Sequence, residues 1–158
     1  MTTPIRPLRP GEGTICENIL RSLPEWFGIE ESIVQYARDV ETMDTYVYLV
    51  DDQPVGFLTL HRHNDHSAEI EVMGVLGEHQ GRGIGRALVE HVEKVLGGES
   101  TEFLQVKTLG PSRPDKNYER TRGFYERIGF SPLEENRLWG DVNPCLIYVK
   151  HLRCEESG

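Results

Sequence analysis

The sequence is short of basic residues and cysteines, and each shortage excludes a class of protein. Lysine and arginine number 17 against 26 aspartates and glutamates, for a formal net charge of −9. Such an acidic chain offers no general surface for nucleic-acid phosphates, so no DNA or RNA partner is expected. The three cysteines, Cys16, Cys145 and Cys154, show no C-x-x-C spacing. This argues against a disulfide framework or a cysteine-based zinc site, and we expect reduced thiols.

The sequence also lacks long apolar runs. Its first residues, MTTPIRPLRPGEG, have no signal-peptide core, and no run approaches the roughly 20 apolar residues that span a bilayer. We therefore expect a cytoplasmic protein with no membrane partner. The 158 residues, 37% of them hydrophobic, are enough for one core. The sequence predicts a single domain over residues 1–158, with its core at about 4–152 and a frayed C-terminal tail.

Hydrophobic periodicity predicts an α/β chain. Steps of three and four among apolar residues indicate helices, and alternation over Tyr46–Val75 indicates a three-stranded antiparallel meander. The predicted order is β-α-α-β-β-β-α-β-α-β-β. Its elements lie at Ile5–Leu8, about 15–23, Ile29–Val40, the three strands of the meander, Gly83–Leu96, Phe103–Leu109, about Tyr118–Ile128, around Phe130–Leu138 and Cys145–Leu152.

A glycine-rich segment between the meander and the next helix is the clearest sign of chemistry. It reads Gln80-Gly81-Arg82-Gly83-Ile84-Gly85-Arg86. Unpaired backbone N–H groups at a helix start point at such a loop, and the glycines let an anion approach the backbone. The spacing differs from both the dinucleotide fingerprint and the P-loop, so it predicts a phosphorylated ligand held in another way. A plain glycine turn is the alternative.

Two motifs together resemble the GCN5-related N-acetyltransferase (GNAT) family, which uses acetyl-coenzyme A (acetyl-CoA). Gln80–Gly85 is similar to the family's Q/R-x-x-G-x-G/A motif, and Thr121–Phe130 is similar to its aromatic helix ending in Gly-Phe. The resemblance implies a mixed, mostly antiparallel central sheet flanked by helices. It implies an acyltransferase that moves an acetyl group to a primary amine of a small molecule or peptide, by direct attack in a ternary complex. It requires no metal.

The resemblance also gives roles to individual residues. It implies that the loop binds the pyrophosphate of acetyl-CoA and that the preceding strand pairs with the pantetheine arm. Tyr125 matches the family's tyrosine near the thioester sulfur, as the general acid for the departing thiolate. Tyr118 stands where many members have asparagine, so it either replaces that contact or faces the acceptor. The cofactor-binding set is Met73, Gly74, Val75, Gln80, Gly81, Arg82, Gly83, Ile84, Gly85, Arg86, Tyr118 and Tyr125.

Within the predicted fourth helix, Phe124 and Ile128 are four residues apart and are expected to be the core pair. Tyr118 and Tyr125 are expected on a neighbouring face with polar tips.

Two strand carboxylates, Glu69 and Glu71, are the candidates for the base that deprotonates the amine. Period two puts them on one face of their strand. Glu69 matches the base of the family's histone-modifying branch, and Glu71 occupies a position where other branches often have an acid. The residues alone leave both open, together with a role in binding the acceptor cation without moving a proton.

The acceptor is left open by the sequence. Trp26 and Phe27 lie in a linker that either covers the core or lines a pocket, and with Glu71 they are the candidate substrate-binding residues. The net acidity favours a cationic acceptor such as a polyamine, an aminoglycoside or a peptide amine. The resemblance is also compatible with a homodimer formed through the last strands.

Two other functions compete with transfer. Phe124–Phe130 also resembles a helix end of vicinal-oxygen-chelate proteins, which include glyoxalases and antibiotic-binding proteins, but those contain repeated modules and this chain has no repeat. A non-catalytic coenzyme A sensor would bind through the same glycine loop. Histidines 61, 63 and 66 surround a predicted turn, where a solvated hairpin is favoured over a metal site, so no metal ligands are predicted.

Overall fold

The computed structural model describes residues 4–152. Its strands are β1 (Ile5–Pro7), β2 (Asp44–Val50), β3 (Gln53–Arg62), β4 (Ser67–Val75), β5 (Phe103–Leu109), β6 (Ser131–Asn136) and β7 (Cys145–His151). Its α-helices are α1 (Gly13–Arg21), α2 (Glu30–Thr42), α3 (Ile84–Gly98) and α4 (Lys116–Arg127). A 3-10 helix occupies Gly77–His79. This confirms the predicted order of elements and adds the 3-10 helix, which is too short to leave a periodic signal.

The strands follow the order β1-β2-β3-β4-β5-β7-β6 in a mixed, mostly antiparallel sheet. The predicted fold class is therefore confirmed. The described chain divides into two compact units, one of residues 4–61 and 71–95 and the other of residues 62–70 and 96–152. That residues 1–158 act as one domain stays a prediction.

The first unit packs α1 and α2 on the β2 and β3 strands. β1 and β3 each pair antiparallel with β2, from Ile5↔Tyr48 and from Asp44↔Leu60. Apolar side chains at helical spacing on α1 meet apolar side chains of the strands, and burying them is the main driving force for this packing. The cluster consists of Cys16, Ile19, Leu20, Leu23, Val40, Val47, Phe57 and Val72.

The second unit is built around β5. The first residues of β4, Ser67–Ile70, pair parallel with Phe103–Val106, and β5 then continues to Leu109 along antiparallel β7. β6 pairs with the other edge of β7. Asp115 caps the N-terminus of α4, and its carboxylate accepts hydrogen bonds from the N–H groups of Asn117 and Tyr118 at 2.9 and 3.1 Å. Such a cap stabilises a helix by about 1 kcal/mol.

The described residues also bear on several smaller points. Cys16 and Cys145 are free and buried, whereas Cys154 and the tail predicted to be frayed lie outside the described residues. Between residues 4 and 152, no helix has both the length and the apolar character needed to cross a membrane. The expected core pair of α4 is wrong. Tyr125 is the side chain that α4 buries, at 6% exposure, while Phe124 and Ile128 are half-buried.

Candidate functional site

The glycine loop leads from the 3-10 helix into α3. Gly81 and Gly83 have φ of 77° and 81°, in the left-handed region that residues with a Cβ rarely adopt. The Gln80 side chain turns back and donates from Nε2 to the carbonyl oxygen of Val75 at 3.0 Å. Glycine is therefore needed at two of the predicted positions for the backbone shape alone, and Gln80 ties the loop to the end of β4.

The loop fits a phosphate group. A Cβ placed on Gly81 or Gly83 meets no atom within 4 Å, so both positions face open space. The first turns of α2 and α4 carry glutamates, as the helix dipole favours, but the first turn of α3 carries none and contains Arg86. Arg82 and Arg86 are exposed, and Arg86 donates to Glu90 at 2.9 Å. A helix start with open backbone and nearby guanidinium groups suits an anion.

The end of β4 lies directly before this loop. Exposure alternates from Glu71 to Val75, with Val72 and Gly74 buried. A Cβ on Gly74 would stand 3.2 Å from a methyl group of Ile19, a tight contact that α1 could relieve only by shifting slightly. Met73 and Val75 are half-buried. Met73, Gly74 and Val75 thus lie next to the loop along the chain, as the predicted role on the pantetheine arm needs.

The two aromatic residues of the α1–α2 linker pack against the core. Trp26 and Phe27 are partly buried on the cluster of the first unit, and the Phe27 ring meets Tyr36 edge-on at 6.1 Å between ring centroids. Covering the core is therefore one of their functions. Their contact with an acceptor stays a prediction.

Glu71 pairs with a histidine in the first unit. Its Oε2 lies 3.2 Å from Nδ1 of His61, near the end of β3. The side chains of Glu71 and His61 are 22% and 37% exposed, so solvent reaches both members of the pair. This carboxylate is accessible to an incoming amine.

Glu69, in the second unit, has a different environment. Its Oε1 accepts a hydrogen bond from Nζ of Lys107 at 2.8 Å and lies 2.7 Å from Nε2 of His63. The Glu69 side chain is only 8% exposed and that of Lys107 only 20%. Glu69 and Lys107 therefore form a largely buried ion pair, in which each charge stabilises the other. Sequence reasoning missed Lys107, because the contact joins residues 38 apart along the chain.

Tyr125 lies in an aromatic cluster of the second unit. Its ring is 5.5 Å from that of Phe130 and 6.1 Å from that of Tyr148, between centroids. Burial, with a smaller effect of Tyr118, raises the pKa of the Tyr125 hydroxyl well above its usual range. Like any tyrosine, Tyr125 keeps its proton at neutral pH, and the shift makes its hydroxyl a weaker acid than an exposed one.

Tyr118 is half-buried in the first turn of α4, held through its backbone by Asp115. Asn117 precedes it, and its side-chain oxygen accepts from Arg120 at 2.7 Å. The Asn117 side chain is thus engaged within its own helix. Tyr118, and not an asparagine, stands at the position where many family members have asparagine.

The predicted site residues divide between the two units. The first unit contains Trp26, Phe27, Glu71, Met73, Gly74, Val75 and the loop Gln80–Arg86. The second contains Glu69, Tyr118 and Tyr125. Beyond the prediction, the structure adds partners for both carboxylates: His61 for Glu71, and His63 with Lys107 for Glu69. In the sequence, the only indication of these contacts was that His61 and His63 are two residues apart, as are Glu69 and Glu71.

Comparison with known proteins bears on the family to which the chain belongs. The model of the acetyltransferase (GNAT) domain family matches residues 41–132, which contain both motifs. An uncharacterised N-acetyltransferase of Chlorobaculum tepidum is 29% identical over 130 residues, covering 80% of this chain and 72% of that protein.

Two solved structures share the fold. The ribosomal-protein-S18-alanine N-acetyltransferase of Escherichia coli superposes with a TM-score of 0.75 at 17% identity, over 98% of this chain and 97% of that one. A GNAT family acetyltransferase of Elizabethkingia anophelis, solved with acetyl-CoA bound, has a TM-score of 0.73 at 18% identity, over 94% and 97%. With the family model spanning more than half of the sequence, this chain belongs to the GNAT acetyltransferase family.

Proposed function

We propose that the protein transfers an acetyl group from acetyl-CoA to the primary amine of a small molecule or peptide. The observation that carries this proposal is the loop before α3, whose glycines at positive φ face open space beside Arg82 and Arg86. Backbone N–H groups of Gln80–Gly85 hold the pyrophosphate, and the backbone of Met73–Val75 holds the pantetheine arm. Bound there, acetyl-CoA supplies a thioester carbonyl open to attack by an amine.

Glu71, rather than Glu69, is the carboxylate that receives a proton from the acceptor amine. A base must be reached by the proton it takes, and Glu71 is partly exposed whereas Glu69 is enclosed. Neutralising Glu69 would also leave the Lys107 ammonium, which is mostly buried, without its partner, and this is costly. Glu69 therefore stabilises the second unit, and Glu71 acts on the acceptor.

Tyr125 donates its proton to the departing thiolate. The match of Tyr125 to the family's tyrosine supports this role. Its hydroxyl carries a proton at neutral pH, so that proton is available when the carbon–sulfur bond breaks. Tyr118, in the first turn of the same helix, contacts acetyl-CoA in place of the asparagine of other members. The amine attacks the thioester directly, with no covalent enzyme intermediate. Holding the two substrates together therefore supplies much of the rate enhancement.

The acceptor is a cationic amine. A net charge of −9 attracts ammonium groups, and Glu71 offers them a partly exposed carboxylate. The S18-alanine acetyltransferase, whose fold is similar, modifies the amine of a protein alanine. Polyamines, aminoglycosides and peptide N-termini are therefore the acceptors to test first. We expect a protein that works in the cytoplasm and needs no metal.

The test combines calorimetric titration of acetyl-CoA with a thiol-release assay against these amines. We expect binding, and thiol release with one class of amine. Glu71→Gln should lower kcat while Glu69→Gln keeps it, provided both variants are compared below their unfolding temperatures. Binding without release on any amine would favour a coenzyme A sensor, and no binding would contradict the proposal.

A further inference from the structure

His61 forms a contact that the proposed transfer has not yet used. Its Nδ1 lies 3.2 Å from Oε2 of Glu71, within the first unit. The imidazole is 37% exposed, so one side of the ring meets the carboxylate while the side chain also reaches solvent. The His61 side chain thus contacts both a partly buried carboxylate and bulk water.

The second unit contains a histidine–glutamate pair of similar chemistry but different surroundings. His63 Nε2 lies 2.7 Å from Oε1 of Glu69, and Lys107 donates to that same oxygen. The Lys107 ammonium stabilises the charged Glu69 carboxylate, so protonating Glu69 would break a largely buried ion pair. Of the two candidate strand glutamates, only Glu71 combines a histidine partner with a partly exposed carboxylate. His66 also pairs with Glu102, at 2.8 Å, but neither residue belongs to the predicted site.

The transfer releases a proton that has to leave the site. An acceptor ammonium carries three protons when the reaction begins. The carbon–nitrogen bond forms and the carbon–sulfur bond breaks. One proton then stays on the amide nitrogen, one returns to Tyr125 to replace the proton that Tyr125 gave to the coenzyme A thiolate, and one goes to solvent. At neutral pH every turnover therefore delivers one proton to water, and Glu71 must lose it before the next cycle.

From this geometry we infer that His61 is the relay that takes the released proton from Glu71 and passes it to solvent. The inference rests on the proposed function, with Glu71 as the proton acceptor. Imidazole suits the task because it binds a proton on one ring nitrogen and releases one from the other. His61 acts through Glu71 and is a positioning residue, since no contact with the substrates is needed.

The decisive variants are His61→Gln and His61→Ala. Glutamine keeps a side chain that can donate to Glu71 but cannot shuttle a proton, so a merely structural His61 would tolerate it. We expect both variants to lower kcat by about tenfold, which is less than the roughly 10²–10⁴-fold effect of a direct general acid or base because His61 acts through Glu71. The acceptor KM should change less. Imidazole added at fixed pH and ionic strength should restore much of the kcat of His61→Ala.

His63→Ala is the matched control, because it removes the histidine that pairs with the other strand glutamate, Glu69. We expect its kcat to show no dependence on added imidazole, even where its melting temperature falls. Full kcat in His61→Gln would overturn the relay, as would equal imidazole rescue in the two alanine variants. If Glu71→Gln is inactive while His61→Gln is fully active, only the relay fails. If the unchanged protein releases no thiol with any amine, the proposed function and the relay fail together.

Discussion

Replacing Gly83 by alanine should separate acetyl-CoA binding from folding. Gly83 has φ of 81°, and a Cβ there meets no atom within 4 Å. The methyl group therefore clashes with nothing in the protein, and the cost to the fold is backbone strain of about 1–2 kcal/mol. For a chain of 158 residues, this lowers Tm by about 2–8 °C. At 25 °C the variant should remain folded.

Binding should suffer more than the fold. The methyl group enters the open space where we place the pyrophosphate and keeps its oxygens away from the backbone N–H groups of the loop. We expect Kd for acetyl-CoA to rise at least about tenfold, equivalent to about 1.4 kcal/mol. Isothermal titration calorimetry measures Kd, and circular dichroism on the same samples measures Tm.

Gly11→Ala provides the control for strain. Gly11 has φ of 87°, and a Cβ on it also meets nothing within 4 Å, but it lies before α1 and outside the predicted site. We expect a similar fall in Tm with no change in Kd. An unchanged Kd in Gly83→Ala would refute the phosphate-binding role of the loop. Equal weakening in both variants would mean that strain, not the added methyl group, reduces binding.

Three further predictions concern the second unit. Tyr125→Phe should lower kcat in the thiol-release assay and leave the acetyl-CoA Kd nearly unchanged; an unaltered kcat would remove Tyr125 as the acid. Lys107→Met should reduce the free energy of unfolding in urea by about 3 kcal/mol, because Glu69 then stays buried without its cation, and Glu69→Gln in the same chain should recover part of this loss. Burial and Glu126 raise the pKa of Tyr148 to about 12. Because unfolded tyrosine titrates at about 10, stability should fall between pH 10 and 12, and less steeply in Tyr148→Phe; equal slopes in pH-dependent urea titrations would contradict this.

Local periodicity was sufficient to predict the elements of the fold. Ile19 and Leu23 recur at helical spacing and both face the core of the first unit, and the alternation through Phe57 belongs to a real strand. These patterns can be recognised in the sequence because each depends only on residues that are close together along the chain. The loop was equally accessible to sequence reasoning, since its glycines, its arginines and the following helix are contiguous.

Which face of a helix is buried was harder to predict. In α4 the spacing of Phe124 and Ile128 suggested a core pair, yet the helix buries Tyr125 instead. Phe130 and Tyr148 determine which face of α4 is buried, because the Tyr125 ring packs against theirs. Tyr148 is 23 positions further along the chain, on β7, and only the pairing of β7 with β5 brings it under the helix. Helical periodicity contains no information about that partner.

The two strand carboxylates differ for the same reason. Glu69 and Glu71 are identical in type, lie two positions apart and each meet a histidine, so no local pattern separates them. Lys107 separates them, because the parallel pairing of β4 with β5 brings its ammonium to Glu69. Because Glu69 is paired with Lys107 and enclosed in the second unit, we expect it to offer little to an acceptor. Glu71 lacks such a cation among its described contacts and remains reachable, so the accessible negative charge of this strand lies on Glu71.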